Sequence, residues 1–418
     1  MRVSIRCNYT IEISNCKMET ITAAFRKVLI LFLRDFVVEI VSKFAREYMR
    51  EKDKPFKCER CGNNEQFIWK TLEAKKTRIR TIFGEIIVGQ MQVQCKRCGK
   101  KMYITRKLLG IGPRRRMSEG TKKILALMGG LTSFRVSEKI LKMMGVAINK
   151  MAVWRSVQEV GKKIEFGLDV KEAPRGQADG TGIAIQGIKK RGQELKVFIQ
   201  EKLRGGVRIA GLNIGRYETD WDKVFEPLKE GFNKFKDRIF LLVTDGDANI
   251  LKGIKGVKIL LQRCLWHLGY QMKYYLWKDK VKRKSKQWYH VLGEIFDISA
   301  IRDGVEDEEE IKAIIEAKTS HLDKLIEYCK EHGYRHCKNY LENAKGKMFT
   351  ALRNKVEGKT TSKVERVMRT VKMRMDVGKW NGQGALNVVR VRLAHYYNGF
   401  EATEEVYERE VKVLESAA

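Results

Sequence analysis

Two cysteine pairs and three isolated acids carry the chemistry legible in this 418-residue chain. Cys58-Glu-Arg-Cys61-Gly and Cys95-Lys-Arg-Cys98-Gly are two CxxCG turns separated by 33 residues. Four thiolates brought together by such turns close a tetrahedral structural Zn²⁺ site with no open position for catalysis; the plainer alternative is four unrelated cysteines. The acids are Asp179 in ADG, Asp245 in VTDGDANI, and Glu365, which stands alone among Lys363, Arg366, Arg369, Lys372 and Arg374. Phosphodiester chemistry can use two divalent cations about 3.5–4 Å apart, one activating the attacking oxygen and the other stabilising the leaving one. Three carboxylates from distant parts of the chain can hold such a pair, since Mg²⁺ (or Mn²⁺ in its place) takes oxygen ligands and keeps several waters. The bland reading of Glu365 is a surface i,i+4 pair with Arg369, worth roughly a few tenths of a kcal/mol.

The elements that must position these acids follow from the surrounding pattern. From Gly176 the chain reads as strands, ADGTGIAIQG, ELKVFIQEKL and VRIAGLNIG, then a helix-like TDWDKVFEPLKEGF, then RIFLLVTDGDANI, whose apolar run ends abruptly in acids. Three adjacent strands, a helix and a further strand predict the start of a ribonuclease-H-like α/β core. In that layout Asp179 lies on the first strand and Asp245 at the tip of the fourth, so neighbouring strands bring them together. Asp247 is an alternative ligand, because alternation along an extended segment points it to the same side as Asp245. Asp245 is preferred because it directly ends the apolar strand. Gly180 and Gly246 follow the two acids and are expected to keep the space beside each carboxylate clear. Over Thr360 to Asp376, Val364, Val367, Met368, Val371 and Met375 form one apolar helical stripe, with Glu365, Arg369 and Lys372 along its edge.

The 84 Lys and Arg against 51 Asp and Glu leave a formal charge of +33, too large for a neutral soluble enzyme and suited to a polyanion such as DNA or RNA. The most apolar stretch, VLILFLRDFVVEIV, is interrupted by Arg34, Asp35 and Glu39 well short of the roughly 18 uncharged residues of a span, so no membrane partner is expected. The opening residues lack the features of a signal peptide, which predicts a reducing cytoplasm and, given the charge, association with the nucleoid. Cys7, Cys16, Cys329 and Cys337 have no paired spacing and are read as packing residues.

Pro55, Pro113 and Pro174 fall where the pattern changes and mark the expected borders. Residues 1–54 are a helical segment suited to oligomerisation, 55–112 a zinc ribbon, 113–173 a helix-turn-helix DNA-binding domain, and 174–400 the catalytic core, with a helical insertion at about 263–354; residues 401–418 form a helical tail. Within 113–173, Thr121 to Met128, Phe134 to Met144 and Lys150 to Lys163 read as three helices, separated by Gly129-Gly130 and Gly145. A glycine and a short apolar turn before the last of them give the layout of a helix-turn-helix, with an ordinary three-helix bundle as the alternative. Arg114, Arg115, Arg116, Lys150 and Arg155 are the phosphate contacts expected there, and Arg366, Arg369 and Lys372 those around Glu365. Arg374, Lys379, Arg390 and Arg392 are expected to line the same path; Trp154, Trp266 and Trp380 are candidates to stack on an unpaired base, with core packing as the alternative and Trp266 the one singled out for the strand end.

Asp179 with its Asp-Gly, Asp245 in VTDGDANI, Cys264-Leu-Trp-His267 after the strand KILLQ, and the helix SKVERVMRTVKMR together resemble the DDE transposases of the Mutator-like class and their bacterial and archaeal insertion-sequence relatives. The similarity covers roughly Gly176 to Gly399. It implies that Asp179, Asp245 and Glu365 bind two Mg²⁺ ions, that a mostly helical insertion lies between Asp245 and Glu365, and that the Cys264/His267 motif opens it; two ligands without a second pair are an incomplete metal site, so Cys264 and His267 are read as structural. It implies a transposase that binds terminal inverted repeats through its N-terminal region, cuts the element's ends and joins them to target DNA. Two ends must meet, so a homodimer or higher assembly is expected. A catalytically inactive DNA-binding derivative, or a ribonuclease-H-like nuclease, is the alternative.

Overall fold

The computed structural model describes residues 8–50, 56–112, 115–188, 193–235, 238–302 and 304–400. Arg114, the borders at Pro55 and Pro113, and the tail at 401–418 lie outside the described residues. The chain is mixed α/β and forms two compact units, one running to Gly161 and the other from Lys162 to Phe400. No helix among the described residues is long and apolar enough to cross a membrane.

In the first unit, α1 (Met18–Tyr48) precedes a three-stranded antiparallel sheet of β1 (Phe67–Thr81), β2 (Gly84–Cys95) and β3 (Lys101–Tyr103). β1 and β2 form a long hairpin that turns on Ile82 and Phe83, with Thr81 opposite Gly84 and Phe67 opposite Cys95. Alternating burial along β2 gives the sheet one packed face, and Val41 and Ala45 of α1 pack against it beside Phe67, Met91 and Val93. An intramolecular partner thus covers the C-terminal half of α1, while Met18, Phe25 and Phe32 stay exposed. Cys16 is exposed as well, so it is not the packing residue expected; Cys329 and Cys337 are buried as expected.

After the short α2 (Thr105–Leu108) come α3 (Glu119–Leu131), α4 (Phe134–Met143) and α5 (Lys150–Lys163). Each begins at a side-chain cap that accepts a free first-turn N–H: Ser118 from Thr121, Ser133 from Val136 and Asn149 from Ala152. Gly129 and Gly130 do not separate helices; they lie inside α3. A Cβ at Gly129 would stand 2.7 Å from Val157 and 2.9 Å from Val153, so glycine is there to let α3 and α5 touch.

The border between the units precedes Pro174 because residues 162–173 are tied to the second sheet. Gln200 donates to the carbonyls of Asp169 and Ala173 and accepts from the Asp169 N–H. That sheet has the order β6-β5-β4-β7-β8, built from β4 (Arg175–Gly182), β5 (Gln193–Glu201), β6 (Val207–Arg216), β7 (Phe240–Thr244) and β8 (Ile259–Arg263). β4, β5 and β6 run antiparallel to one another; β4, β7 and β8 are parallel. The crossover from β6 to β7 carries α6 (Asp222–Phe225) and α7 (Lys229–Asn233), and α8 (Ala248–Gly253) links β7 to β8. Their apolar residues bury one aromatic core, with Trp221, Phe225 and Phe232 around Phe198 and Phe240.

Between β8 and the final helices lie α9 (Leu265–Lys278), α10 (Lys286–Ser299), α11 (Glu308–Glu331), α12 (Arg335–Lys345) and α13 (Thr350–Arg353). α9 to α12 share a separate core that includes Leu268, Met272, Val291, Ile295, Leu322 and Leu341, whereas Ala351 of α13 packs with Leu241 and Val243 of β7. α14 (Ser362–Met375) and α15 (Gly382–Tyr397) then return to the sheet. The stripe read from the sequence, Val364, Val367, Met368, Val371 and Met375, is the buried face of α14.

Candidate active site

Ala178 pairs with Thr244 across the parallel β4 and β7, so Asp179 and Asp245 immediately follow the last paired residues on adjacent strands. A regular parallel ladder fixes that approach. Asp179 accepts the Gly180 N–H at 2.8 Å. Asp245 accepts the Asp247 N–H at 2.9 Å and the Gln271 side-chain amide at 3.1 Å. Gln271, on α9, is in turn held by Arg263 and by the Tyr340 hydroxyl, each at 3.0 Å from its Oε1. The side chain of Asp247 caps α8 by accepting the Asn249 N–H at 2.8 Å.

Glu365 reaches this strand end because α14 is hung from β4. The buried Gln177 lies two residues before Asp179, on the same face of the strand. Its Oε1 accepts the N–H groups of both Lys363 and Val364, at 3.1 and 3.0 Å, and its amide donates to Glu201. The first turn of α14, which carries Glu365, is thereby fixed to the strand that carries Asp179. The i,i+4 pair of Glu365 with Arg369 does not form; Glu365 instead lies 3.5 Å from His267.

Cys264 and His267 stand at the N-terminal end of α9. The Cys264 N–H bonds to the Thr244 carbonyl, and its sulfur accepts the N–H and hydroxyl of Thr361. The Thr361 hydroxyl also meets His267 Nδ1 at 3.1 Å. One hub therefore joins the end of β7, the start of α9 and the start of α14. Burial opposes the charge on His267, but the bond to Cys264 and the field of Asp179 and Asp245 outweigh it, and the imidazole titrates above its ordinary value. Burial also opposes the Cys264 thiolate, and His267 and Thr361 hold the thiol below its usual range.

Asp179 is pushed up to about 7, first by burial and then by Asp245, with Glu365 adding; the Gly180 N–H and His267 act in the opposite sense. The three carboxylates share one field, yet their oxygens do not all fall within 4.8 Å of one another.

The spaces expected to stay open beside the acids are filled. A Cβ at Gly180 would lie 2.1 Å from a carboxylate oxygen of Glu194, and one at Gly246 would collide with the Arg263 guanidinium. The glycines admit these two side chains. Glu194, on β5, is buried with Lys196 and feels Asp245 and Asp247; burial is the main cause that raises its pKa. It is a fourth acid at the site that sequence reasoning missed. The polar pair Glu194 and Lys196, alternating on a wholly buried strand, was its only signal.

Compared with models of protein families and with curated proteins, the chain matches none.

Arg366, Arg369 and Lys372 are exposed along α14. Arg374 and Arg392 do not line a path for a ligand, because both are buried: Arg374 covers the Trp380 ring at 4.7 Å, and Arg392 donates to the Thr370 carbonyl. Burial and the nearby Arg392 pull Arg374 down to about 10, and Arg390 is drawn down by burial. Trp380 is itself buried, and Trp266 is exposed.

In the first unit, Cys58, Cys61, Cys95 and Cys98 bring their sulfurs within 4.8 Å of one another, close enough to bind a metal such as zinc. The Cys58–Cys98 and Cys61–Cys95 separations are 3.5 and 3.7 Å, near the about 3.8 Å edge of a tetrahedron with 2.3 Å metal–sulfur bonds. Burial opposes a thiolate at Cys95, but Asn63 and backbone N–H groups of the turn outweigh it and lower the thiol to about 6. Most of the 33-residue spacing is the β1–β2 hairpin, which carries the second turn back to the first. Of the basic residues singled out here, Arg116, Lys150 and Arg155 are exposed, whereas Arg115 pairs with Glu159.

Proposed function

We propose that the chain is a DDE transposase whose second unit is a ribonuclease-H-like catalytic core and whose first unit, a zinc ribbon followed by a helix-turn-helix, binds the element's terminal inverted repeats. The observation that carries this reading is the meeting of Asp179 and Asp245 at adjacent parallel strand ends with Glu365 on a helix anchored to the same strand. The mixed strand order, with three antiparallel strands followed by two parallel ones, supports the fold assignment. α3 to α5, with Lys150 and Arg155 exposed on the last helix, support the DNA-binding assignment.

The donor set fits hard divalent cations: three carboxylates gather at the strand end, and burial first, then the Asp245 charge, pushes Asp179 up to about 7 when no cation is there to offset them. Asp179, Asp245 and Glu365 would hold two Mg²⁺ or Mn²⁺ ions, with Asp247 kept at its cap; the ions would supply an activated attacking oxygen and a stabilised leaving oxygen. The chain's own residues do the positioning. Gln271 orients Asp245, Gln177 fixes the turn that bears Glu365, and His267 meets the Glu365 carboxylate at 3.5 Å. The exposed Arg366, Arg369 and Lys372 face the phosphates flanking the cleavage point.

The test is a strand-transfer assay with Mg²⁺, labelled duplexes taken from the sequence flanking the gene, and a supercoiled target. Joined product is expected. Cut ends without joining would make the chain a nuclease, and neither product would make it a non-catalytic DNA binder. Assembly into a dimer or larger belongs to the same reading, with the exposed apolar residues of α1 as the proposed interface.

A further inference from the structure

The outer face of α9 is lined by aromatic rings. Trp266, Tyr270, Tyr274 and Trp277 recur at intervals of four, four and three residues, which places all four within about 80° of arc on the helix. They are between 50% and 67% exposed, although rings of this size normally anchor cores. The opposite face, with Leu268, Met272 and Leu276, is fully buried, so α9 has its core contacts and does not need this second face for folding. The rings stand in two stacked pairs. Trp266 and Tyr270 lie 5.1 Å apart at 12°, and Tyr274 and Trp277 lie 5.8 Å apart at 27°. Lys273 sits over Tyr270 and Lys278 over Tyr274.

The chain leaves α9 through a strongly basic turn. Lys278, Lys280, Lys282, Arg283, Lys284 and Lys286 are all exposed, and among the described residues none of them is paired with a carboxylate. The one acid in the turn, Asp279, is engaged elsewhere, accepting the N–H groups of His336 and Cys337 at the start of α12. Lys280 and Lys284 both adopt positive φ, a conformation that costs a lysine roughly 1–2 kcal/mol and marks a shaped turn, not a trailing one.

We infer that the outer face of α9 and the basic turn after it form a stacking track for an unpaired stretch of DNA strand. Flat π-faces in a row bind bases of any sequence, and the unpaired cations take up phosphate charge. A protein partner would bury the rings but would be repelled by six unneutralised cations unless it were strongly acidic, so charge favours the polyanion. A double helix hides its base faces, so rings recognise only the unpaired form. The track runs about 16 Å from Trp266 to Trp277 at 1.5 Å per residue, which accommodates on the order of five nucleotides at about 3.4 Å each. Its near end, Trp266, adjoins His267, which contacts Glu365. The inference rests on the proposed function for its choice of DNA as the polymer.

The test uses the full chain and fluorescein-labelled oligo(dT) of about 12 nucleotides, followed by fluorescence anisotropy, with a duplex of equal length as control. The Tyr274→Ala/Trp277→Ala double variant should bind the oligonucleotide at least tenfold more weakly while holding the duplex within twofold. The Trp277→Phe variant, which keeps a ring, should stay within threefold of the parent. Lys282→Glu with Lys284→Glu should weaken oligonucleotide binding and flatten its salt dependence. Oligonucleotide binding by the double variant within twofold of the parent overturns the inference. So does a fall in particle mass by light scattering with oligonucleotide binding unchanged, which would make the face a contact between copies. Mg²⁺-dependent nicking is read separately: its absence in a chain that binds oligo(dT) through α9 removes the transposase reading and leaves the track, and the converse removes only the track.

Discussion

Asp179→Asn should stabilise the magnesium-free protein while removing its activity. The Asp179 carboxyl stands at about 7 against an ordinary 3.8, chiefly through burial and the nearby Asp245. Because the folded value lies above the unfolded one, the cost of its charge is absent below about pH 4, grows between about 4 and 7, and is complete above that. About three units at about 1.36 kcal/mol each give an upper limit of ~4 kcal/mol. Asparagine keeps an oxygen for the Gly180 N–H, now bound at 2.8 Å, and carries no charge. For a unit of this size each kcal/mol moves the Tm by about 2–4 °C. In magnesium-free buffer at pH 8 the variant should therefore melt up to about 8–16 °C above the parent by calorimetry, with the gap closing toward pH 4. Added Mg²⁺ should raise the Tm of the parent more than that of the variant, and Mg²⁺-dependent nicking should vanish with end binding intact. A variant that melts at or below the parent at pH 8 would refute the cost of the buried Asp179 charge, and retained nicking would remove Asp179 from the mechanism.

Chelation of a metal held by Cys58, Cys61, Cys95 and Cys98 should unfold the first unit's sheet selectively, because those sulfurs belong to the core that includes Val41 and Ala45; hydrogen exchange should rise in β2 and not in β7. Gln177→Ala strands two first-turn N–H groups of α14 and should cost about 1–3 kcal/mol, lowering kcat for nicking with the Kd for end DNA unchanged. Gly129→Ala should destabilise the α3–α5 packing by about 1–3 kcal/mol in a thermal melt, since the added methyl meets Val157 at 2.7 Å. Phe25→Ser with Phe32→Ser should reduce the particle mass in light scattering if α1 joins two copies; full deletion of α1 is a poorer test, because Val41 and Ala45 belong to the core of the first sheet.

Features set by local pattern were legible in the sequence. The helices α4, α5 and α14 lie close to the ranges read from the sequence, the apolar stripe of α14 is its buried face, and the apolar strand ending at Thr244 delivers Asp245 to its tip. Features set by lateral pairing were not. Glu194 reaches the site only through the antiparallel register of β4 with β5, and Gln177 caps a helix 186 residues away. Periodicity carries no information about either contact. Gly129 misled because a glycine that permits close helix packing has the same letter as one that ends a helix. Arg374 misled because a cation stacked on a buried tryptophan looks, in one dimension, like any other basic residue on a basic helix.

The Leu265 N–H bonds to the Lys359 carbonyl, and the Cys264 sulfur to Thr361, so the chain departs for its helical excursion and comes home at a single spot. The helices α9 to α12 hang between this spot and a second foot on β8, where the Arg263 N–H bonds to the Lys347 carbonyl and the Gln262 side chain bonds to Met348 and Ala351. Lengthening such a suspended segment costs only about 0.6 kcal/mol of closure entropy per doubling, so descendants of this sequence can enlarge, trim or redecorate it while the acids below keep their places.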